Sequence, residues 1–479
     1  MTLQFFDTRV GALREFVPLC PGLVGIYVCG PTVQSSPHIG HLRSALVYDQ
    51  MRRWLTFRGF DVTLVRNVTD IDDKILANAT AARTQGSREE WWALAYRMEI
   101  EFTDAYRAIG VQPPTYEPRA TASIAQMHEL IQRLIDRGHA YVAPDGSGDV
   151  YFDVRSWPHY GELTRQSLDQ VEASGDAVGR GKVDPADFAL WKGHKPNEPE
   201  SAAFSSPWGL GRPGWHLECS AMSHRYLGGE FDIHGGGLDL RFPHHENEWA
   251  QSRAAGDEFA RYWVHNGIVT VNGQKMSKSL GNSVLAAEVL ASASPLVVRY
   301  YLGSAHYRST MDYHEGSLTE ARAAVDRIVS MVARVDRESN GTPSSLERPN
   351  GAALPDAFAR AMDDDLAIPQ ALAVVHDQVR QGHLALDEKD HQSARSHRDA
   401  VVAMLNVLGL NPATFPRTSS VSSNRDRALE VLVKRSLEQR DEARSSRDFA
   451  TADRIRDTLA AAGVRIEDTP SGTHWSVDE

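Results

Sequence analysis

Residues 22–66, GLVGIYVCGPTVQSSPHIGHLRSALVYDQMRRWLTFRGFDVTLVR, decide the fold. Residues 22–29 are apolar and include β-branched side chains, which is typical of a strand buried in a parallel sheet. A loop then leads into a helix, and after a glycine turn residues 59–70, GFDVTLVRNVTD, have the pattern of a second strand. This β-loop-α-β order predicts an α/β fold of the Rossmann type, with a parallel sheet that binds a nucleotide.

The rest of the chain divides by composition. At 479 residues it is longer than one ordinary hydrophobic core sustains, so we expect two to four domains. Glycine, proline and aspartate interrupt the pattern from residue 118, which indicates an insertion before the sheet resumes. Beyond residue 285 helical periodicity dominates, broken by polar linkers at 337–350 and 411–424, and no strand is predicted before the C-terminal end.

The expected division follows from these changes. Residues 1–117 and 204–284 would form the two halves of the Rossmann-type domain, 118–203 the insertion, 285–415 a helical bundle and 425–479 a small C-terminal module.

Cysteine content, hydropathy and charge exclude several classes of protein. Three cysteines, Cys20, Cys29 and Cys219, are too few for a disulfide framework and fit a reducing compartment. No apolar run approaches the ~18 residues of a membrane helix, and the first residues do not resemble a secretion signal. A net charge of −12 argues against a protein that coats nucleic acid indiscriminately. We therefore expect a cytoplasmic protein, with a monomer as the simplest state.

The motif HIGH occupies residues 38–41, in the loop that opens the first helix. Unpaired backbone N–H groups and the helix dipole favour phosphate there, and Gly40 lets a ligand approach the backbone closely. Two imidazoles three residues apart can both face one ligand and donate to a phosphoryl oxygen. A pair of surface histidines would have the same spacing, so the motif alone leaves both interpretations open.

A second motif, KMSKS at residues 275–279, precedes Leu-Gly-Asn and indicates a mobile loop, although a solvated basic turn would look alike. HIGH and KMSKS in this order resemble the class I aminoacyl-tRNA synthetases. The resemblance implies that an amino acid carboxylate attacks the α-phosphorus of ATP, giving an aminoacyl adenylate and pyrophosphate. Four side chains would stabilise the charge that develops on the phosphates: His38, His41, Lys275 and Lys278.

The same resemblance implies which residues bind ATP. His38, Gly40, His41 and Lys278 would contact ATP, and Mg²⁺ would accompany it. The chain lacks GxxxxGK[ST] and, after its first strand, GxGxxG. Those absences argue against a P-loop NTPase and a dinucleotide oxidoreductase.

Four residues could form a metal site. His244 and Glu248 are four apart in FPHHENE and share one helical face, while Cys29 and Cys219 would lie near the ligand edge of the sheet. A Cys₂-His-Glu set suits Zn²⁺, but buried cysteines without a metal are more common, so spacing alone leaves this open. The segments PGWHLECSAM and DIHGGGLDLRFPHHENE are similar to the cysteinyl-tRNA synthetase family. That resemblance implies that Cys29, Cys219, His244 and Glu248 hold zinc.

Zinc would serve substrate selection, because a thiolate is a far better ligand for Zn²⁺ than the hydroxyl of serine. By the same resemblance four residues would contact the amino and carboxylate groups of L-cysteine: Gly30, Thr69, Trp215 and Asp239. Gly30 could instead only shape a turn, Thr69 could cap a helix and Trp215 could be core packing.

The C-terminal block, with its ADRIRDTL helix and closing DTPSGTHW, also looks like this family, which implies tRNA-Cys as partner and anticodon recognition. Trp475 is expected to be exposed and able to stack on a base, and the helices of this block carry seven basic residues. They are Lys434, Arg435, Arg440, Arg444, Arg447, Arg454 and Arg456. From the residues alone, an ordinary amphipathic helical pair with interleaved Glu and Asp is the favoured interpretation of this block.

Two alternatives remain. The cysteine ligase of mycothiol synthesis resembles the same fold and joins activated cysteine to an amino sugar, but it should lack an anticodon domain. An inactive binding paralogue should carry a broken HIGH or KMSKS motif, and neither is broken here.

Overall fold

The structure is a computed structural model that describes residues 2–165, 181–276, 281–338, 354–415, 421–469 and 472–477. It divides into two units, Met1–Phe415 and Pro416–Glu479. The strands described in the first unit are β1 (Gln4–Asp7), β2 (Ala12–Glu15), β3 (Leu23–Val28), β4 (Asp61–Arg66), β5 (Ala140–Val142), β6 (Val150–Phe152), β7 (Phe188–Gly193), β8 (Gly211–Pro213), β9 (Glu230–Gly237), β10 (Phe259–Asn266), β11 (Val269–Val271), β12 (Gln274–Lys275) and β13 (Met311–Tyr313).

The helices described in the first unit are α1 (Ile39–Phe57), α2 (Asp73–Thr84), α3 (Trp91–Ala108), α4 (Ile124–Asp136), α5 (Trp215–Leu227), α6 (Glu246–Ala254), α7 (Ala286–Ser292), α8 (Pro295–Ser304), α9 (Ser317–Glu338), α10 (Asp356–Asp363), α11 (Ile368–Asp387) and α12 (His391–Leu408).

The central sheet has four parallel strands in the order β10-β9-β3-β4. Ile26, Tyr27 and Val28 of β3 pair with both neighbouring strands and are almost completely buried. A strand that is covered on both faces needs apolar side chains at successive positions, which residues 22–29 supply. The predicted Rossmann-type sheet, with β9 and β10 added by returning chain, is confirmed.

Helix α1 connects β3 to β4 and places the HIGH motif at the carboxyl ends of the strands. His38 is its N-cap: Nδ1 of His38 accepts the N–H of Gly40, and Nδ1 of His41 accepts the N–H of His38. Leu42, Leu46 and Trp54 bury the inner face of the helix at 0% exposure. The N-terminus of α1 therefore faces the edge of the sheet where ligands bind in this class of fold.

Three smaller sheets surround the central one. β1 and β2 form an N-terminal hairpin that the sequence analysis did not predict, and β5 to β8 form an antiparallel sheet. β11 pairs antiparallel with β12 and parallel with β13. The prediction that no strand follows residue 285 before the C-terminal end was wrong, because β13 lies at residues 311–313. Three residues carry too little period-2 pattern to reveal a strand, and the pairing with β11 creates it.

Helices α7 to α12 complete the first unit, as the periodicity predicted. Pro295 occupies the first turn of α8, where a missing N–H costs nothing. Gly409 ends α12 with φ +67°, a left-handed conformation that favours glycine. No helix in the described ranges is long and apolar enough to cross a membrane.

The second unit contains α13 (Val421–Ser445), α14 (Phe449–Ala461), β14 (Val464–Thr469) and β15 (Gly472–Val477), with the two strands paired antiparallel. The expectation that Trp475 is exposed was wrong, because it is partly buried against a small apolar core. Arg440 is 7% exposed, and both its terminal nitrogens donate to the carboxylate of Asp468, at 2.8 and 2.6 Å. Arg440 therefore supports the unit from within, while the other six basic residues are exposed.

Candidate active site

A cavity of about 340 Å³ opens at the carboxyl ends of the central strands. Its lining includes residues from both candidate sites, together with the ends of β3 and β10 and the start of α1. The predicted site residues on its wall are Cys29, Gly30, His38, Gly40, His41, Trp215, Asp239 and Lys275. The fold thus gathers into one cavity residues that lie up to about 245 positions apart in the chain.

The predicted metal ligands come together at the floor of this cavity. Cys29 follows β3, Cys219 lies on α5, His244 lies in the turn before α6, and Glu248 lies on α6. One ligand atom from each lies within 4.8 Å of the others. Cys29 alone of the four lines the cavity, while the others are 0–1% exposed. We call these four residues the metal side.

Distances on the metal side fit a tetrahedral ion. Sγ of Cys29 lies 3.6 Å from Sγ of Cys219, 3.4 Å from Nε2 of His244 and 3.2 Å from Oε1 of Glu248. Nε2 of His244 lies 3.0 Å from that same oxygen of Glu248. Zinc bonds of about 2.0 to 2.3 Å at tetrahedral angles separate ligand atoms by roughly 3.3 to 3.8 Å. The atoms therefore need to move apart by only a few tenths of an ångström to hold Zn²⁺.

The charges of the metal side also call for a cation. Burial and the neighbouring Cys219 and Glu248 raise the pKa of Cys29. Burial also opposes ionisation of Cys219, but hydrogen bonds with Cys29 and His244 bring the pKa of that thiol to about 6. Two thiols and one carboxylate this close cannot all ionise in a dry interior unless a cation compensates them. Without a metal, His244 provides one positive charge, because burial is outweighed by Glu248 and Cys219, which raise the pKa of His244 to about 10. A divalent ion would compensate the thiolates and the carboxylate together.

Two further histidines support the ligands. Nε2 of His234 lies 2.8 Å from Oε2 of Glu248, and Nδ1 of His216 lies 3.0 Å from Nδ1 of His244. Such contacts fix the orientation of a metal ligand. A second group, Cys29, His234, His245 and Glu248, also has its ligand atoms within 4.8 Å. It has one thiol instead of two, so the first group is the better match for a soft ion.

The residues that the sequence predicts to contact phosphate also line the cavity, and we call His38, Gly40, His41 and Lys275 the phosphate side. The rings of His38 and His41 stack at 3.6 Å. Because Nδ1 of each accepts a backbone N–H, the hydrogen of the neutral imidazole is on Nε2 in both. Burial and the neighbouring His38 hold the pKa of His41 well below its ordinary value, so His41 is neutral at pH 7.

The KMSKS motif is described only in part. Lys275 is exposed at the end of β12 and reaches the cavity wall with Met276. Lys278, a predicted catalytic and ATP-binding residue, lies outside the described residues.

The four predicted cysteine contacts are not equivalent. Gly30, Trp215 and Asp239 line the cavity, and the ring of Trp215 stacks on His244 at 4.1 Å. At Gly30 a Cβ atom would lie 1.7 Å from the carbonyl oxygen of Asn67, so glycine is required there. Thr69 is 1% exposed, does not line the cavity, and donates its hydroxyl to Oε2 of Glu218 at 2.7 Å.

The sequence analysis missed a buried network that joins these residues. Oδ1 of Asn67 accepts the N–H of Gly30 at 2.8 Å, and its Nδ2 lies 3.3 Å from Oγ1 of Thr69. Thr69 in turn bonds Glu218, whose pKa burial raises well above its ordinary value. Asn67 directly follows β4 at the ligand edge of the sheet, and that position was the signal that could have identified it.

Comparison with solved structures identifies the fold. The chain is similar in fold to a methionyl-tRNA synthetase of Mycobacterium tuberculosis in complex with methionyl-adenylate, with a TM-score of 0.53, 16% identity, and coverage of 81% of this chain and 90% of that chain. It is also similar to a LeuRS of Agrobacterium radiobacter K84, with a TM-score of 0.56, 12% identity, and coverage of 83% and 85%. With its Rossmann-type sheet, this is the fold of class I tRNA synthetases.

Sequence comparison narrows the class to a family. Residues 15–323 match the model for the tRNA synthetases class I (C) catalytic domain, residues 357–411 match the DALR domain, and residues 427–475 match the cysteinyl-tRNA ligase anticodon binding domain. Proteins named cysteine–tRNA ligase are 68% identical in Leifsonia xyli subsp. xyli and 65% identical in Clavibacter michiganensis subsp. michiganensis, each over 100% of both chains. The chain belongs to the cysteine–tRNA ligase family and is a ligase enzyme.

Proposed function

We propose that the protein activates L-cysteine with ATP and transfers it to tRNA-Cys, releasing AMP and pyrophosphate. A carboxylate oxygen of cysteine attacks the α-phosphorus of ATP, and the bond to pyrophosphate breaks. A ribose hydroxyl at the 3′ end of tRNA then attacks the carbonyl carbon of the adenylate, and AMP leaves. The observation that carries this proposal is that Cys29, one of the four residues of the metal side, lines the same cavity as His38 and His41.

The metal side accounts for the choice of cysteine. Cys29, Cys219, His244 and Glu248 would hold Zn²⁺, and their distances and charges support this assignment. A zinc ion held there supplies a soft Lewis acid to which a cysteine thiolate can bind and a serine hydroxyl binds much more weakly. His216 contacts His244 and His234 contacts Glu248, which keeps both ligands in place. The ring of Trp215 covers one face of His244.

The phosphate side stabilises the transition state. The α1 N-terminus offers backbone N–H groups, and neutral His41 directs its Nε2–H toward a phosphoryl oxygen without adding charge of its own. Gly40 leaves room for ATP to approach the backbone. Lys275 and Lys278 compensate the charge of the leaving pyrophosphate, and Mg²⁺ accompanies ATP.

The remaining cavity residues orient the amino acid. Asp239 is exposed to the cavity and carries a carboxylate that can pair with the ammonium group of cysteine. Gly30 packs closely against Asn67, which holds the backbone of position 30 at the cavity surface where the substrate would bind. Thr69 acts from behind this wall through Asn67 and Glu218 rather than from the cavity surface.

The C-terminal unit is the proposed site of anticodon recognition, in which the six exposed basic residues named in the sequence analysis would take part. The match at residues 427–475 disfavours the alternative, a cysteine ligase that uses an amino sugar as acceptor, since that enzyme needs no such module. The five-part division from the sequence, with 118–203 as insertion and 285–415 as bundle, and the monomeric state are part of the same proposal.

A charging assay tests the function. Purified protein receives ATP, Mg²⁺ and labelled cysteine with either tRNA-Cys or an amino-sugar acceptor, and pyrophosphate exchange reports activation. We expect exchange with cysteine and transfer to tRNA-Cys alone. Transfer to the amino sugar alone would overturn the tRNA assignment, and absence of exchange would overturn the activation chemistry.

A further inference from the structure

Arg43 lies on α1 two residues after His41, and its side chain points away from the cavity into the interior. It is 1% exposed. Nη1 donates to the carbonyl of Leu302 at 2.6 Å, and Nη2 donates to the carbonyls of His306 and Ser309 at 2.9 and 3.3 Å. One guanidinium therefore binds three backbone carbonyls in residues 302–309, which run from the end of α8 toward β13.

That segment supports the strands that carry Lys275. We call residues 269–275, which comprise β11, β12 and the turn between them, the Lys275 hairpin. β13 begins at Met311 and pairs with β11 throughout its length. Just before the hairpin, the N–H of Gly267 donates to the carbonyl of Tyr307 at 2.8 Å. A Cβ atom at Gly267 would lie 2.3 Å from the carbonyl oxygen of Ser309, so the two segments are in close contact. Arg43 thus connects the helix of the HIGH motif to the hairpin of the KMSKS motif through the 302–309 segment.

Burial of the Arg43 guanidinium is energetically unfavourable for an ordinary core contact. Among the described residues no carboxylate lies within ion-pair distance of its guanidinium, and burial lowers its pKa to about 10. A buried cation without a carboxylate costs stability unless its hydrogen bonds compensate. By contrast, Arg299, equally buried, pairs with Asp49 of α1 at 2.6 Å while it also binds backbone carbonyls. The two arginines provide a matched pair. Arg299 of α8 pairs with α1, and Arg43 of α1 binds the 302–309 segment, so of the two Arg43 alone contacts the carbonyls next to the Lys275 hairpin.

We propose that Arg43 is a positioning residue for amino acid activation: it fixes the Lys275 hairpin relative to His38 and His41, so that both phosphate-binding elements meet ATP in one geometry. This inference rests on the proposed function. Lysine at position 43 would keep the charge, but one ammonium cannot reproduce the forked contact with Leu302 on one nitrogen and His306 and Ser309 on the other. A displacement of about 1 Å in a substrate-positioning group can cost up to about 100-fold in rate.

The test compares Arg43→Lys with Arg299→Lys in the full-length enzyme. For Arg43→Lys we expect kcat of cysteine-dependent pyrophosphate exchange to fall by about 10- to 100-fold, with KM for cysteine and zinc content as in the wild type. We also expect trypsin to cleave after Lys275 faster than in the wild type. Arg299→Lys should lower thermal stability while it leaves kcat and the cleavage rate after Lys275 unchanged.

Gly267→Ala perturbs the same contact while Arg43 itself is retained. Its methyl group would meet the carbonyl oxygen of Ser309 and displace the 302–309 segment. It should reproduce the kinetic and proteolytic signature of Arg43→Lys. The proposal is overturned if Arg43→Lys and Arg299→Lys lose activity in parallel, if KM for cysteine rises with the fall in kcat, or if cleavage after Lys275 does not change. Absence of exchange in the wild type would instead reject the proposed function, while the cleavage comparison would still test the role of Arg43.

Discussion

The two sides of the active-site cavity are built in different ways. The metal side takes its four ligands from three separate segments, and its side chains are at most 9% exposed. The phosphate side consists of one helix N-terminus and an exposed lysine on a short hairpin. Buried groups with fixed partners suit discrimination between two similar substrates, whereas partly exposed donors suit a charge that develops during reaction. We therefore expect substitutions on the metal side to change which amino acid reacts, and substitutions on the phosphate side to change how fast it reacts.

The largest expected effect is on the metal side. Cys219→Ser should reduce bound zinc and lower kcat/KM for cysteine by about 100- to 1,000-fold, because four ligands share roughly 10 to 16 kcal/mol of zinc binding. Selection of cysteine over serine should fall with it. Metal analysis and pyrophosphate exchange with each amino acid measure both quantities. Full zinc content with unchanged selectivity would contradict the assignment of Cys219. Cys20→Ser is the matched control, because Cys20 is exposed and outside the cluster.

The next effect is on the phosphate side. Lys275→Ala should lower kcat of pyrophosphate exchange by about 10- to 100-fold and leave KM for cysteine unchanged, because the lysine acts on charge formed in the transition state. Lys278→Ala should behave in the same way. An unaltered activation rate would remove the substituted lysine from the mechanism, and a rise in KM for cysteine would erase the contrast between the two sides.

A smaller effect is expected at Asn67, which lies behind the predicted cysteine contact Gly30. Asn67→Ala leaves the N–H of Gly30 without its partner, and an unsatisfied buried donor costs about 1 to 3 kcal/mol. We expect kcat/KM for cysteine to fall about 10-fold while KM for ATP is unchanged. Steady-state kinetics with each substrate varied in turn separates the two. A rise in KM for ATP alone would contradict the assignment of Asn67 to cysteine binding.

The smallest expected effect concerns the pKa of His41. Burial depresses it in the folded protein, so the neutral form is favoured and stability is lost as pH falls below the unfolded value of about 6.5. A histidine NMR titration, with His41→Asn to assign the resonance, should give a midpoint well below 6.5. A midpoint at or above 6.5 would mean that the phosphate side carries a cationic imidazole instead of a neutral donor.

Local pattern made the centre of the fold predictable, whereas tertiary contacts decided the rest. The β-loop-α-β order at residues 22–66 carries its own periodicity, so β3, α1 and β4 followed from it. The three-residue strand β13 has no such pattern. Arg440 and Trp475 are residue types expected on an RNA-binding surface. In the structure, Arg440 pairs with Asp468 and Trp475 packs against a small apolar core. Composition cannot tell which basic side chains find a partner within the unit.

The candidate site shows the same division. The four-residue spacing predicted that His244 and Glu248 share a helical face, and Nε2 of His244 lies 3.0 Å from Oε1 of Glu248. No spacing rule could place Cys29 beside Cys219, because they lie on separate segments and the sheet brings them together; the family resemblance supplied that pairing. Asn67 escaped notice for a related reason, since its role depends on Gly30 and Thr69 in neighbouring segments.

The central claim is that the metal side recognises cysteine through its sulfur. X-ray absorption at the zinc edge of the purified enzyme tests it most directly, with spectra recorded alone, with cysteine and with serine. The account predicts two sulfur and two nitrogen or oxygen ligands without substrate, one additional sulfur with cysteine, and no change with serine. An unchanged sulfur count in the presence of saturating cysteine would contradict it.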